Sequence, residues 1–132
     1  MLFERAIRST KHKHCGVYEW SLFVDQSEQK ERYTKFLLRM PLAKQWPCAL
    51  LENIEIDKKW RRRGYGRMGL KCFLDEAKAC GAACAILKVG WTTPPEDPEE
   101  ARLWKTKFYK SEGFIELEVN DYEPVMMYKS LA

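Results

Sequence analysis

The feature that most constrains this chain is a run of arginines and glycines between two segments of different periodicity. Cys48 to Ile56 is apolar enough for a buried strand, whereas Arg67 to Cys80 carries apolar residues at helical spacing. Arg61-Arg62-Arg63-Gly64-Tyr65-Gly66 lies between them, and Gly81 stands where a helix commonly ends. The order predicts a β-loop-helix unit in which the basic loop opens the helix.

Such a loop is suited to binding an anion. A helix N-terminus presents unpaired N–H groups and a partial positive charge, glycines let the backbone approach a phosphate, and arginines attract it. A Walker A loop is excluded because Gly66 is followed by Arg67-Met68 rather than by Lys and Ser or Thr, and a Rossmann loop would need three glycines. The alternative, a solvated arginine run beside an ordinary turn, remains open at this point.

Strand and helix patterns continue on both sides of this unit, without repeats or a linker. The predicted elements are a first strand over Met1–Arg8, a polar connection over Ser9–His14, a hairpin of Cys15–Asp25 and Arg32–Met40, an inner strand within Ala82–Trp91, a helix from Asp97 and Pro98 to about Glu112 that ends at Gly113, and a final hairpin of Phe114–Val119 and Val125–Leu131. The sequence therefore predicts a mixed α/β fold in one domain over residues 1–132.

Composition narrows the partners and the compartment. The 132 residues carry 23 Lys and Arg against 19 Asp and Glu, a mild excess that fits a small polyanion and gives no strong sign of nucleic-acid binding. Five cysteines without a Cys-x-x-Cys pair, and the lack of a leader or long apolar run, predict reduced thiols in a cytoplasmic protein away from membranes. His12, His14 and Cys15 are close together but lack a fourth ligand at a usual spacing, so we expect no metal.

At this point the residues match a known family. Ile56 followed five residues later by Arg61-x-x-Gly64-x-Gly66 resembles the acyl-CoA-binding motif of the GNAT superfamily of N-acetyltransferases, and the surrounding stretch is most similar to ribosomal-protein alanine N-acetyltransferases. Phe108-Tyr109-x-x-x-Gly113-Phe114 resembles the family's second motif, and Val125–Leu131 resembles its last strand. The resemblance covers about residues 48–131.

The resemblance implies a GNAT-type fold and transfer of an acetyl group from acetyl-CoA to an amine by direct attack. It also implies the cofactor contacts. The strand backbone at Ile54, Glu55 and Ile56 would hold the pantetheine arm, and the loop residues Arg61, Arg62, Arg63, Gly64, Tyr65, Gly66 and Arg67 would bind the pyrophosphate.

By the same resemblance, Tyr109 is the expected acid for the departing thiolate. Glu52, four residues before Ile56, is the preferred base, although water could replace it, and strand alternation places Glu55 on the opposite face. Three positions depart from the family: Arg102 replaces a frequent Asn, Lys105 replaces a small residue, and Lys88 stands where some relatives have a carboxylate.

The largest departure is N-terminal. The family usually has two helices between its first two strands, and Ser9–His14 is too short to form them. We therefore expect an acceptor side that is open or completed by a second subunit, most simply a homodimer, with a small-molecule or peptide amine as acceptor. The alternatives are a non-catalytic acyl-CoA-binding or protein-interaction module, and nucleic-acid engagement through the basic segment Lys58–Arg63.

Overall fold

The computed structural model describes residues 2–25, 45–89, 98–116 and 125–131. Within these ranges the strands are β1 (Leu2–Arg8), β2 (His14–Phe23), β3 (Cys48–Ile56), β4 (Cys84–Val89), β5 (Ile115–Glu116) and β6 (Val125–Ser130), and the α-helices are α1 (Tyr65–Ala79) and α2 (Pro98–Ser111). A short 3-10 turn, Lys58–Trp60, lies between β3 and α1. The predicted mixed α/β class is confirmed.

The strands form one sheet in the order β1-β2-β3-β4-β6-β5. Among the described strands, β3 and β4 alone pair in parallel, and their connection crosses the sheet through α1. The pairing runs only from Cys48 opposite Cys84 to Leu51 opposite Leu87. Beyond it β3 continues to Ile56 while β4 pairs with β6, so a gap opens between β3 and β4 beneath the loop that leads into α1.

A β-bulge interrupts β3 at the start of this gap. Trp20 of β2 lies opposite Leu51 and Glu19 lies opposite Asn53, so Glu52 is an extra residue in the ladder. One extra residue reverses the alternation that follows. Leu51 and then Ile54 and Ile56 consequently pack on the same side of the sheet.

Both helices cover one side of the sheet, which we call the helical face. Leu70 and Phe73 of α1 and Tyr109 of α2 join a buried cluster with Trp20 and Leu87 of the strands. The other side, the second face, carries a separate buried cluster: Cys48, Leu50, Cys84, Ile86 and Tyr128. Side chains on the helical face and side chains on the second face can therefore reach the gap only from opposite sides of the sheet.

Both helices end at the predicted glycines. Gly81 has φ of 84°, and the N–H groups of Gly81 and Ala82 donate to the carbonyls of Lys78 and Ala77, as in a Schellman motif. Gly113 has φ of 92° and ends α2. The basic loop opens α1 as predicted, and the helix begins at Tyr65, so Gly66 lies in its first turn.

The connection between β1 and β2 is a tight turn, which confirms that no pair of helices lies between these strands. The Ser9 N–H donates to the Lys13 carbonyl at 2.9 Å, and the Lys13 N–H donates to Ser9 Oγ at 3.1 Å. The predicted strand Arg32–Met40, the N-cap Asp97 and the bend before Val125 lie outside the described residues. Within the described residues none of the five cysteines forms a disulfide bond, and no helix is long and apolar enough to cross a membrane.

One polar network fixes α1 to the sheet. The Glu76 carboxylate of α1 accepts hydrogen bonds from Tyr18 Oη at 2.9 Å, Trp20 Nε1 at 3.1 Å and Arg5 Nε at 2.9 Å. Burial, together with the hydrogen bond to Glu76, raises the pKa of Tyr18 above its usual range. Three donors from β1 and β2 on one carboxylate therefore set the position of α1.

Candidate active site

The loop between β3 and α1 presents a row of unpaired backbone N–H groups. Its 3-10 turn uses the N–H groups of Trp60 and Arg61, and the first bond of α1 runs from the Met68 N–H to the Gly64 carbonyl at 3.1 Å. In the described part of the chain, the N–H groups of residues 62–67 have no backbone acceptor. With the positive end of the α1 dipole, they form a site suited to an anion.

The loop backbone leaves open space in front of these groups. Gly64 is the N-cap of α1 with φ of 88°, a left-handed conformation that glycine adopts without a Cβ penalty, and Arg62 has φ of 62°. A Cβ added to Gly64 or Gly66 would meet no atom of the described residues within 4 Å. Protein packing therefore does not require glycine at position 66, whereas a ligand approaching the backbone would.

Three of the loop's arginine side chains contact other parts of the protein. Arg61 Nε donates to the Ile56 carbonyl at 3.0 Å, the Arg63 guanidinium lies 5.3 Å from the Trp60 ring centroid, and Arg67 Nε pairs with Glu112 Oε1 at 2.6 Å. Their positive charge still acts on the space before the loop. The direct donors to an anion would accordingly be backbone N–H groups, with the arginines supplying the field.

The Trp60 side chain packs against other residues of the loop. Its ring packs edge-on against Tyr65 with centroids 5.5 Å apart, and Lys59 Nζ lies 5.6 Å from the centroid on which Arg63 also stacks. Its Nε1 is buried and has no hydrogen-bond partner among the residues that the structure describes. The indole therefore holds the loop through packing and cation–π contacts.

The β3 backbone directs donors and acceptors into the gap. The Asp57 N–H donates to the Cys15 carbonyl of β2 at 2.8 Å, which sets the alternation of backbone groups along the end of β3. In an antiparallel ladder, Glu55 then faces β2, while the N–H and C=O groups of Ile54 and Ile56 point toward β4. The Ile56 carbonyl accepts Arg61, so Ile54 and the Ile56 N–H are the groups that the gap exposes.

Tyr109, the expected acid, lies in the last turns of α2 on the helical face. It is 9% exposed, and its ring packs edge-on against Phe114 with centroids 6.0 Å apart. Burial raises the pKa of Tyr109 to about 12. The Arg67–Glu112 ion pair joins the end of α2 to the first turn of α1, so this tyrosine lies on the helix that packs beside the anion-binding loop.

Glu52, the expected base, is the bulged residue of β3. It is exposed on the second face and accepts a hydrogen bond from Ser21 Oγ at 3.1 Å. The prediction that Glu55 lies on the opposite face is wrong. The bulge shifts the alternation by one residue, so Glu52 and Glu55 share the second face.

Two further carboxylates on the second face were missed in the sequence analysis. Glu4 of β1 lies directly opposite Glu19 of β2, and Glu19 lies opposite Asn53 beside the bulge. Among the described residues, no cation pairs with Glu4, Glu19, Glu52 or Glu55, although Glu76 and Glu112 are both paired. The alternation within β1 and β2 was the available signal, because it places Glu4 and Glu19 on one face.

The remaining singled-out residues lie outside this arrangement. His14 Nε2 is 3.8 Å from Asp57 Oδ2, and Cys15 is buried with its Sγ donating to the Lys13 carbonyl. Lys88 is exposed on the second face of β4, and Lys105 Nζ lies 6.0 Å from the Trp104 ring centroid. The side chain of Arg102 is outside the described part of the structure.

Comparison with solved structures identifies the fold. The chain is similar to a GNAT-family acetyltransferase from Staphylococcus aureus (TM-score 0.61, 13% identity, 99% of this chain and 68% of that chain) and to the ribosomal-protein-S18-alanine N-acetyltransferase of Escherichia coli (0.59, 16%, 99% and 70%). It is also similar to the PaiA N-acetyltransferase of Thermoplasma acidophilum in complex with coenzyme A (0.60, 15%, 98% and 60%). No family model and no curated protein matches the sequence. The chain therefore has the fold of GNAT acetyltransferases, as its motifs predicted.

Proposed function

We propose that the protein is an acetyl-CoA-dependent N-acetyltransferase. The observation that carries the proposal is the gap between β3 and β4, which ends at the N–H groups of residues 62–67, six consecutive groups at the positive end of α1 with no backbone acceptor among the described residues. An elongated molecule with a pyrophosphate at one end fits this arrangement. When bound, acetyl-CoA supplies an activated thioester that an amine can attack.

Each part of the gap has a role in this proposal. The backbone N–H groups of residues 62–67, including those of Gly64 and Gly66, hold the pyrophosphate. Ile54 and Ile56 offer backbone groups to the pantetheine arm along the edge of β3. The open space in front of Gly66 supports the fit, because a side chain there would occupy the ligand's position.

Tyr109 and Glu52 approach from the two sides of the sheet. Tyr109 lies on the helical face with its phenol protonated, so it can donate a proton to a departing thiolate. Glu52 lies on the second face, where it can take a proton from the attacking amine. The negative charge of Glu4, Glu19 and Glu55 on this face attracts an ammonium ion, which supports a cationic acceptor.

The direct test combines binding with turnover. Calorimetric titration with acetyl-CoA should show saturable binding, and free thiol should appear when acetyl-CoA is mixed with mono-, di- and polyamines and with peptides. Thiol release without an amine serves as the background control. Binding without release across the panel would instead support a non-catalytic acyl-CoA-binding module, and absence of binding would refute the cofactor assignment.

A further inference from the structure

The outer edge of β1 is free of any described strand. β1 is the first strand in the sheet order, so one of its edges pairs with β2 and the other faces away from the sheet. The inner pairs include Phe3 opposite Trp20 and Ile7 opposite Gly16. A seven-residue edge strand is a template for pairing with another chain.

Backbone alternation identifies the groups on that edge. The Cys15 carbonyl of β2 accepts the Asp57 N–H of the β3 side, so the backbone of the next residue, Gly16, points toward β1. Its partner Ile7 points inward, and so by alternation do Arg5 and Phe3. The Ser9 N–H also points inward, to Lys13. The outward-facing groups are therefore those of Leu2, Glu4, Ala6 and Arg8.

A second copy is the partner whose charges fit this edge. Two identical edge strands related by a two-fold axis pair in antiparallel fashion, and the axis passes between two copies of one residue. Centring on Glu4 would oppose two carboxylates, and centring on Arg5 would oppose two guanidinium groups. Centring on Ala6 opposes two methyl groups and places Glu4 opposite the partner's Arg8 twice.

We propose that two copies of this chain associate edge to edge through β1 in the register centred on Ala6. Glu4, Ala6 and Arg8 all carry outward backbone groups, so this register aligns hydrogen-bonding groups as well as charges. Directly opposite side chains lie on one face with Cβ atoms about 5 Å apart, which is within reach of an ion pair. The backbone groups and the charges of this edge therefore both match those of the same edge in a second copy.

The dimer joins the two sheets into one. A two-fold axis perpendicular to the sheet keeps both second faces on the same side, so the two acidic faces become neighbours with Glu4 of each copy at the seam. The interface uses no residue that would contact acetyl-CoA or transfer a proton in the proposed reaction, although Glu4 also belongs to the acidic second face. It therefore stands or falls separately from the acetyltransferase proposal.

Charge exchange tests the register. Light scattering coupled to gel filtration, over a dilution series, should give the wild type twice the 15.6 kDa chain mass. Glu4→Arg and Arg8→Glu should each be monomeric, because each opposes like charges twice, and the double variant should be dimeric again. Glu19→Arg makes the same charge change one strand inward and should stay dimeric.

Arg8 Nη1 also donates to the His12 carbonyl at 3.3 Å, so a monomeric Arg8 variant would not by itself distinguish a lost interface from a disturbed fold. A backbone variant makes that distinction. Ala6→Pro removes an outward N–H and leaves the inner ladder to β2 intact, as edge strands tolerate. It should be monomeric with an unchanged circular dichroism spectrum. A wild type that is monomeric at every concentration, or a dimer that ignores the single reversals or is not restored by the double exchange, would overturn the proposal.

Discussion

At the scale of single residues, Tyr109 places a buried phenol in the last turns of α2. The end of this helix is joined to the anion-binding loop by the Arg67–Glu112 ion pair. Replacing it with Phe keeps the ring packing against Phe114 and removes only the hydroxyl. We expect coenzyme A affinity to be kept and turnover to fall about 10²-fold or more, the usual contribution of a positioned acid. A thiol-release assay measures the turnover, and calorimetric titration measures the affinity for coenzyme A.

The matched control for this variant is Tyr128→Phe. Tyr128 is also buried, at 4% exposure, but it lies in the cluster of the second face. Turnover should remain within a few-fold of the wild type in this control. Normal turnover in Tyr109→Phe would remove Tyr109 from the mechanism.

The pKa of Tyr109 gives a second prediction at this scale. Burial raises the pKa of Tyr109 from its usual value of 10.0 to about 12, so the folded state favours the protonated phenol. The associated stability is fully present below pH 10 and is lost as the pH rises toward 12. Urea unfolding at pH 8, 10 and 11 should show a smaller loss of unfolding free energy in Tyr109→Phe than in the wild type. Equal losses would contradict the burial of this hydroxyl.

At the scale of elements, the start of α1 contains two glycines with different roles: Gly64 is required by the backbone conformation, and Gly66 is expected to be required by the ligand. Gly66 lies in the first helical turn with open space beside it, so Gly66→Ala should leave stability unchanged or raise it by about 0.5–1 kcal/mol. Coenzyme A affinity should nevertheless fall, because the added Cβ enters the anion's position. Thermal unfolding and calorimetric titration give the two values.

Gly64→Ala is the companion variant. The left-handed conformation of Gly64 makes a side chain there strained, by about 1–2 kcal/mol, so both stability and affinity should fall. Unchanged affinity in Gly66→Ala would place the pyrophosphate elsewhere.

The attachment of α1 to the sheet depends on one carboxylate. Glu76→Ala leaves the donors Tyr18 Oη and Trp20 Nε1 without their acceptor, and we expect a loss of about 2 kcal/mol in unfolding free energy. Asp75→Ala, on the exposed neighbour, should change it by about 0.5 kcal/mol at most. Similar urea midpoints for the two variants would contradict the network's role.

The elements differ in how far the sequence alone could predict them. Gly81 and Gly113 mark helix ends because their backbone conformation is a local property, and β3 was predicted with its observed bounds. The bulge at Glu52 was not predictable, since an extra residue in a ladder is defined only against the partner strand. The face assigned to Glu55 failed for that reason, whereas the loop's glycines and arginines indicated an anion site without any tertiary information.

At the scale of the whole molecule, charge is divided between two regions. The net charge is +4, yet four carboxylates share the second face of β1 to β3 without an ion pair to any described cation. Six of the 23 Lys and Arg residues, by contrast, lie in or next to the loop before α1. This division suits a reaction in which an anionic cofactor and a cationic acceptor bind at opposite ends of one gap.

The division predicts how salt acts on the acceptor. Exposed charges are screened beyond a Debye length of about 10 Å at 0.1 M, so the KM of a triamine should rise several-fold between about 0.05 and 0.5 M salt. The assay keeps acetyl-CoA saturating at every salt concentration, because the basic loop gives the cofactor its own salt dependence. A monoamine should respond less, since it carries a single charge across the face. Glu19→Gln should reduce the difference in salt dependence of KM between the two amines while leaving that of the monoamine nearly unchanged. Equal salt dependence of KM for both amines in the wild type would show that the carboxylates of the second face do not attract the acceptor.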